Sequence, residues 1–285
     1  MAESVARRGA VYVMLPAFNE EGSLPPLLDR IRTALERCDF AYHVVVVNDG
    51  STDRTLEIAR QRAAAMPLTI VDHGRNRGLG EAMRSGFLET ARLATNGDAI
   101  VMMDADNTHA PELIPTMYQR IRDGYDLVVA SRFVPGGRQI GLRAYRRLLS
   151  RSAGLLMRTV FPVAGVTDYS CGYRAYSARV IKRALEIHGP QIVEEQGFTC
   201  FIDVLLKLRR MHVRACEVPL VLRYDFKAGA SKMHIGRTIR RYIRMVAKNL
   251  VAPGARPFRR FAVAGAPAGA AAAAAGGASG GGARR

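Results

Sequence analysis

Two aspartates one residue apart, Asp104 and Asp106, follow directly on the apolar run 99–103. In an extended segment positions i and i+2 point to the same side, so both carboxylates can be aimed at one point. Hard oxygen ligands of this kind suit Mg²⁺ or Mn²⁺ shared with a diphosphate. A lone Asp-x-Asp is most often a pair of solvated loop residues, but here a second acidic strand end accompanies it. Val44 to Val47 lead into Asn48-Asp49-Gly50-Ser51-Thr52-Asp53, so two apolar runs deliver carboxylates to one edge of a sheet. That arrangement predicts an enzyme acting on a nucleotide-activated substrate.

The segments that must position these acids alternate between short apolar runs and helical stripes. Strands are expected over 11–15, 42–47, 68–71, 99–103 and 126–130, with helices over 21–37, 53–65, 79–94 and 111–122 between them. Leu24, Leu27, Leu28, Ile31 and Leu35 set the helical spacing of the first of these. Pro111 and Glu112 suit a helix's first turn, where a missing N–H costs nothing and negative charge is favoured. Repeated βα units predict an α/β fold with a doubly wound, mainly parallel sheet flanked by helices. Its ligands bind beyond the carboxyl ends of the strands, where Asp49, Asp104 and Asp106 all fall.

Beyond Arg132 the pattern loosens. Pro135-Gly136-Gly137 marks a turn, and a basic helix is expected over 142–160 with Arg143, Arg146, Arg147 and Arg151 among its leucines. Strands are expected over 167–176 and 213–224. An amphipathic helix follows over 233–250, with Ile235, Ile239, Tyr242, Ile243, Val246 and Leu250 between basic residues. The chain therefore divides into an extension (1–10), a catalytic domain (11–232), a C-terminal amphipathic helix (233–252) and an Ala/Gly/Arg tail (253–285) expected to be disordered.

Composition narrows the partners. The formal charge is +17 over 285 residues, and no acidic residue follows Asp225, which points to an anionic partner. The basic residues of the last helix are interleaved with isoleucines and lack the aromatic platforms on which bases stack, so no nucleic acid is expected. Cys38, Cys171, Cys200 and Cys216 are scattered, as reduced and buried thiols of a cytosolic protein would be. The polar start has no signal-type apolar region and no run suffices to span a bilayer. A nicotinamide-binding reading fails at Pro16-Ala17-Phe18-Asn19-Glu20-Glu21, which has no glycine; Gly78-Leu79-Gly80 lacks the third one.

Leu15-Pro16-Ala17-Phe18-Asn19-Glu20, Val47 to Asp53, Arg77-Gly78-Leu79-Gly80, Met103-Asp104-Ala105-Asp106 and Ala130-Ser131-Arg132-Phe133 occur in that order. Together they resemble the nucleotide-sugar domain of inverting family-2 glycosyltransferases with the GT-A fold. Asp168 to Tyr176 and Gly229-Ala230-Ser231-Lys232 resemble the dolichyl- or polyprenyl-phosphate mannosyltransferase branch. The resemblance implies metal-dependent transfer of a hexose, mannose from GDP-mannose, to a polyprenyl phosphate. The alternatives are a UDP-glucose or UDP-amino-sugar donor, or a non-lipid acceptor.

The same resemblance implies the site. Asp104 and Asp106 hold Mg²⁺ or Mn²⁺ across the diphosphate, with Ala105 beside the donor. Pro16, Phe18 and Glu20 line the nucleoside pocket and Asp49 accepts from the nucleobase. Arg132, Arg223 and Lys232 meet the donor, while Arg146 and Ser150 take the acceptor phosphate. Glutamine commonly stands as a further metal ligand where this chain has Thr108, and Val-Asp-Asp often stands where it has Val47-Asn48-Asp49. A lipid phosphate is already ionised, so no catalytic histidine is required, and His109 is expected to support the acidic pair rather than bind metal. Arg174 reads equally as a site residue or a structural strand residue, and Asp203 as a buried partner of an arginine. A peripheral position at the cytoplasmic face of an anionic membrane follows, with a membrane-anchoring partner subunit as a further expectation.

Overall fold

The computed structural model describes residues 9–141, 152, 154–223 and 235–251, with the backbone alone over 235–239 and at 251. Its first half alternates β1 (Ala10–Ala17), α1 (Leu24–Leu35), β2 (Ala41–Asn48), α2 (Thr55–Ala63), β3 (Leu68–Asp72), α3 (Leu79–Leu93) and β4 (Ala99–Met102). Then come α4 (Ile114–Arg122), β5 (Leu127–Ser131), β6 (Arg138–Ile140) and helical residues 154–160 (α5). The chain continues through β7 (Arg174–Ser177), α6 (Ala178–His188), α7 (Cys200–Arg210), β8 (Ala215–Pro219), β9 (Val221–Arg223) and α8 (Ile235–Val251).

Seven strands form one sheet in the order β3-β2-β1-β4-β7-β5-β8, all parallel except β7, which runs antiparallel to both neighbours. Every residue of β4 and β5 is buried, as a sheet covered on both faces requires. Alternation in β2 shows both faces at work. Val44 and Val46 join the main core with the leucines of α1, whereas Val45 and Val47 gather with Ala82 of α3. Gly86 lets α3 lie close on the sheet, since a Cβ there would fall 2.2 Å from the Met14 sulfur.

Four expectations need correction. The first helix starts at Leu24 rather than 21, because the Glu20 carbonyl already accepts from Ser23 and Leu24 in a turn. The strand expected over 167–176 is confined to β7, since the Asp168 carboxylate accepts the Ser170 and Cys171 N–H groups and folds that stretch into a turn. The strand expected over 213–224 is two strands in two sheets. The Leu220 N–H donates to Ser131 beside β5, while its carbonyl accepts from Arg138 at the start of the β6–β9 pair. The four cysteines are free, but only Cys171 and Cys200 are fully buried; Cys38 and Cys216 are half-buried. Burial pushes the Cys171 thiol up to about 12. Helices α6 and α7 had no counterpart in the sequence reading.

Candidate active site

Strand order reverses between β1 and β4, which places the ligand crevice outside their carboxyl ends. The adjacent strands β2, β1 and β4 deliver Asp49, the 16–20 segment and the 104–106 acids to this one edge. The Met103 N–H still donates to the Met14 carbonyl, so the sheet carries its register right up to the acidic turn.

That turn is held from several sides. The Asp104 N–H donates to His109 Nδ1 at 3.1 Å, which leaves the proton of the neutral imidazole on Nε2, 4.0 Å from Asp104 Oδ2. His109 is buried and stacks on Tyr173, whose hydroxyl donates to the Ala110 carbonyl at 2.8 Å. Thr108 donates its N–H and, at 2.6 Å, its hydroxyl to Asp106 Oδ1. Asn107 sits in the left-handed region with φ 59°, and Arg30 Nη1 holds its side chain at 2.8 Å. The same guanidinium forks onto Glu112.

Asp104 and Asp106 are therefore two hard carboxylates on a pre-formed turn, one part-exposed and one nearly buried. A donor set of this kind fits a Mg²⁺- or Mn²⁺-sized cation whose other ligands are diphosphate and water oxygens. Thr108 spends its hydroxyl proton on Asp106, so its contact orders the turn. The Arg223 N–H approaches the Thr108 carbonyl at 3.5 Å, bringing the end of β9 to the acidic turn.

The side expected to take the nucleoside is equally ordered. Asn19, with φ 53°, accepts from the Thr52 N–H, while its own N–H donates to Ser51 Oγ. Glu20 and Glu21 donate their N–H groups to Thr55 and Asp53, so the loops after β1 and β2 are laced together. Asp49 is buried against the 73–78 loop. Its Oδ1 accepts from His73 Nδ1 at 2.8 Å and the Arg77 N–H at 2.9 Å, and Oδ2 accepts from the Gly78 N–H at 2.8 Å. Gly50, at φ 68°, lets this loop close down, because a Cβ would fall 2.1 Å from the Arg75 backbone.

Arg132 is not presented openly to a diphosphate. Its guanidinium forks onto Asp168, Nε to Oδ2 at 2.7 Å and Nη2 to Oδ1 at 2.6 Å, with a further bond to Ser170 Oγ. Asp168 is fully buried. Burial alone would raise its carboxyl, but Arg132 outweighs that and holds it below its ordinary value. Glu217 of β8 accepts the Thr167 and Asp168 N–H groups and fixes the pair from below. Arg174 is buried on the carbonyls of Cys171, Phe201 and Tyr169, a structural strap. Asp203 pairs with Lys207, not an arginine, and accepts the Glu194 and Glu195 N–H groups. Arg132 also borders an open groove of about 360 Å³ with Phe133, Val134, Leu155, Arg158 and Thr167. Arg158 was not singled out in the sequence; its place on a basic helix was the only signal. Arg146, Ser150 and Lys232 lie outside the described residues.

Fold and site together define a GT-A-type α/β domain. A family model for glycosyl transferase family 2 matches residues 12–185. The chain is 32% identical over 83% of its length to a dolichol-phosphate mannosyltransferase of Pyrococcus furiosus, of which it spans 62%. It is 35% identical over 79% of its length to an undecaprenyl-phosphate mannosyltransferase of Micrococcus luteus, of which it spans 88%. Among solved structures it is similar to the glucosyl-3-phosphoglycerate synthase of Mycobacterium tuberculosis bound to Mn²⁺, UDP and product. There the TM-score is 0.56 at 21% identity, covering 85% of this chain and 79% of that one. The chain belongs to glycosyl transferase family 2.

Proposed function

We propose that this enzyme transfers a hexose, mannose from GDP-mannose, to a polyprenyl phosphate. The observation that carries the reading is the acidic turn, locked by His109 and Thr108 at the strand-order reversal, with β9 ending at Arg223 beside it. The names of the two mannosyltransferase relatives support the sugar and the lipid phosphate. Asp104 and Asp106 would hold a divalent cation, which supplies charge neutralisation for the leaving diphosphate. The protein's own task is then orientation. It aligns an acceptor phosphate oxygen behind the anomeric carbon, so that one C–O bond forms as the bond to the diphosphate breaks and configuration inverts. The attacking oxygen carries no proton at neutral pH, so no general base is needed.

One observation favours a second reading, a UDP-sugar donor. Asp49 Oδ1 already accepts two donors, whereas Oδ2 accepts one and retains a lone pair for a second. Uracil offers a single N–H on its pairing edge, whereas guanine offers two donors. A thermal-shift panel of GDP-, UDP- and dTDP-sugars with Mn²⁺ tests both readings. At a hundredfold excess over Kd the true donor is expected to raise Tm by about 5–10 °C. If no nucleotide sugar shifts Tm and none supports transfer to a polyprenyl phosphate, the proposal is wrong.

No helix among the described residues is long and apolar enough to cross a membrane. A docking surface for the lipid acceptor is supported by α8, in a form different from the expected stripe. Met245 is buried and Val246 half-buried against the body, Arg241 donates to the Gln196 carbonyl at 2.8 Å, and Lys248 pairs with Glu194. The outward face carries Arg240, Ile243, Arg244, Ala247 and Leu250, a mixed basic and apolar row at helical spacing. Each basic residue near an anionic surface contributes about 1 kcal/mol. The double variant Arg240→Glu/Arg244→Glu is expected to keep its Tm and to bind phosphatidylserine vesicles at least about tenfold more weakly in co-sedimentation. Undiminished sedimentation would remove α8 as the docking face.

A further inference from the structure

His73 belongs to none of the motifs, yet it is buried with both ring nitrogens engaged. Nδ1 lies 2.8 Å from Asp49 Oδ1, and Nε2 lies 2.9 Å from Ser85 Oγ in α3. An ionised carboxylate only accepts, so the neutral ring carries its proton on Nδ1 and takes the Ser85 hydroxyl proton at Nε2. The order Ser–His–Asp is that of a nucleophilic triad. Here that use drops out: Ser85 stands inside α3, where the backbone N–H groups are spent on the helix and none is left for an oxyanion.

The relay instead ties a donor-site carboxylate to a helix. The two backbone donors to Asp49, from Arg77 and Gly78, belong to one loop, so they fix the carboxylate only as firmly as that loop is fixed. The His73 ring reaches the same carboxylate from the end of β3, where its N–H donates to the Asn48 carbonyl, and is braced on α3. We propose that His73 is a positioning residue for the sugar donor: it holds the plane of Asp49 so that the spare position on Oδ2 meets a nucleobase N–H. This rests on the reading of Asp49 as the nucleobase contact. Occupancy of that position then depends on the Nδ1–H tautomer that the Asp49 carboxylate selects and the Ser85 hydroxyl accommodates.

Two near-isosteres separate this role from packing. The side-chain nitrogen of asparagine falls where Nδ1 stands and that of glutamine where Nε2 stands. His73→Asn thus keeps the bond to Asp49 and His73→Gln keeps only the bond to Ser85. Calorimetric titration of GDP and of UDP, each with Mg²⁺, is the readout, with donor KM and kcat measured alongside. His73→Gln is expected to weaken the preferred nucleotide about tenfold or more, the loss falling on donor KM rather than kcat, while His73→Asn restores affinity to within about threefold. Ser85→Ala, at a half-buried helix position that tolerates alanine, removes the brace and is expected to weaken binding about threefold. Equal losses in the asparagine and glutamine variants overturn the proposal, as does parental affinity in His73→Gln. If His73→Gln does not fold, parental affinity in Ser85→Ala overturns it. Asp49→Asn is the separate control: parental affinity there sinks the nucleobase reading itself, whatever His73 does.

Discussion

Replacing Asp104 or Asp106 by alanine is expected to lower sugar transfer by about 10³-fold, the scale on which loss of a transition-state charge stabiliser is felt. The two positions differ in what else they do. Asp104 is part-exposed, and its N–H, which alanine keeps, supplies the close bond to His109, so Asp104→Ala should lower Tm less than Asp106→Ala does. Asp106 accepts two bonds from Thr108, and its alanine variant also loses about 1–2 kcal/mol of stability. Asp106→Asn separates the two effects, because the amide oxygen still accepts from Thr108 while the charge is gone. Transfer should fall in Asp106→Asn with Tm within about 2 °C of the parent. Excess EDTA should silence the parent enzyme, and Mn²⁺ or Mg²⁺ should restore it. Full turnover in EDTA, or in any of these variants, would remove the acids from the chemistry.

The second large effect is expected at the Arg132–Asp168 pair. Both side chains are buried, so Asp168→Asn strands a guanidinium without its counter-charge, at a cost of about 3–5 kcal/mol and a fall in Tm of roughly 10 °C. The pH dependence has a definite sign. The Asp168 carboxyl titrates below its ordinary value in the folded protein, so its contribution is complete above the unfolded value of about 3.9 and disappears as pH falls through the folded one. The gap in Tm between parent and Asp168→Asn should stay level from pH 7 down to about 4 and narrow below that. Arg132→Lys keeps charge but cannot fork, so a loss of both stability and turnover is expected. A lysine variant matching the parent in melting and kinetics would show that the fork onto Asp168 matters to neither.

The carboxyl edge of the sheet was legible because strand ends write themselves into sequence. Apolar runs stop, acids and glycine follow, and the βα alternation forces those stops onto one side of a sheet. Asp49, Asp104 and Asp106 could be placed from that alone. The second half was harder for a physical reason: its order comes from contacts distant in sequence. Arg132 meets Asp168 across 36 residues, and neither neighbourhood announces the other. Asp168 lay inside a recognised motif, yet the pull of its carboxylate on Ser170 and Cys171 made a turn where β-type residues suggested a strand. His73 was missed for the opposite reason. One histidine in a loop carries no periodicity, and only the meeting of β2, β3 and α3 gives it partners. In α8 the helix itself was readable, but which of its faces turns inward was decided by Gln196 and Glu194, residues on another segment.

The antiparallel strand β7 fills the gap between β4 and β5, and this sets the order in which a nascent chain can acquire structure. Strands β3, β2, β1 and β4 can zip together once residues up to 102 have left the ribosome. The outer edge of β4 then stays open, with every side chain destined for burial, until 174–177 emerge and pair with it. Strand β5 waits for the same partner. Open apolar edges held for so long are hazards for mis-pairing between chains during synthesis. They also delay the acidic turn, because His109 stacks on Tyr173 and the Ala110 carbonyl is capped by its hydroxyl, one residue ahead of β7. A partly synthesised chain therefore carries both aspartates before their turn is braced, and that brace arrives with the late insertion of a single four-residue strand.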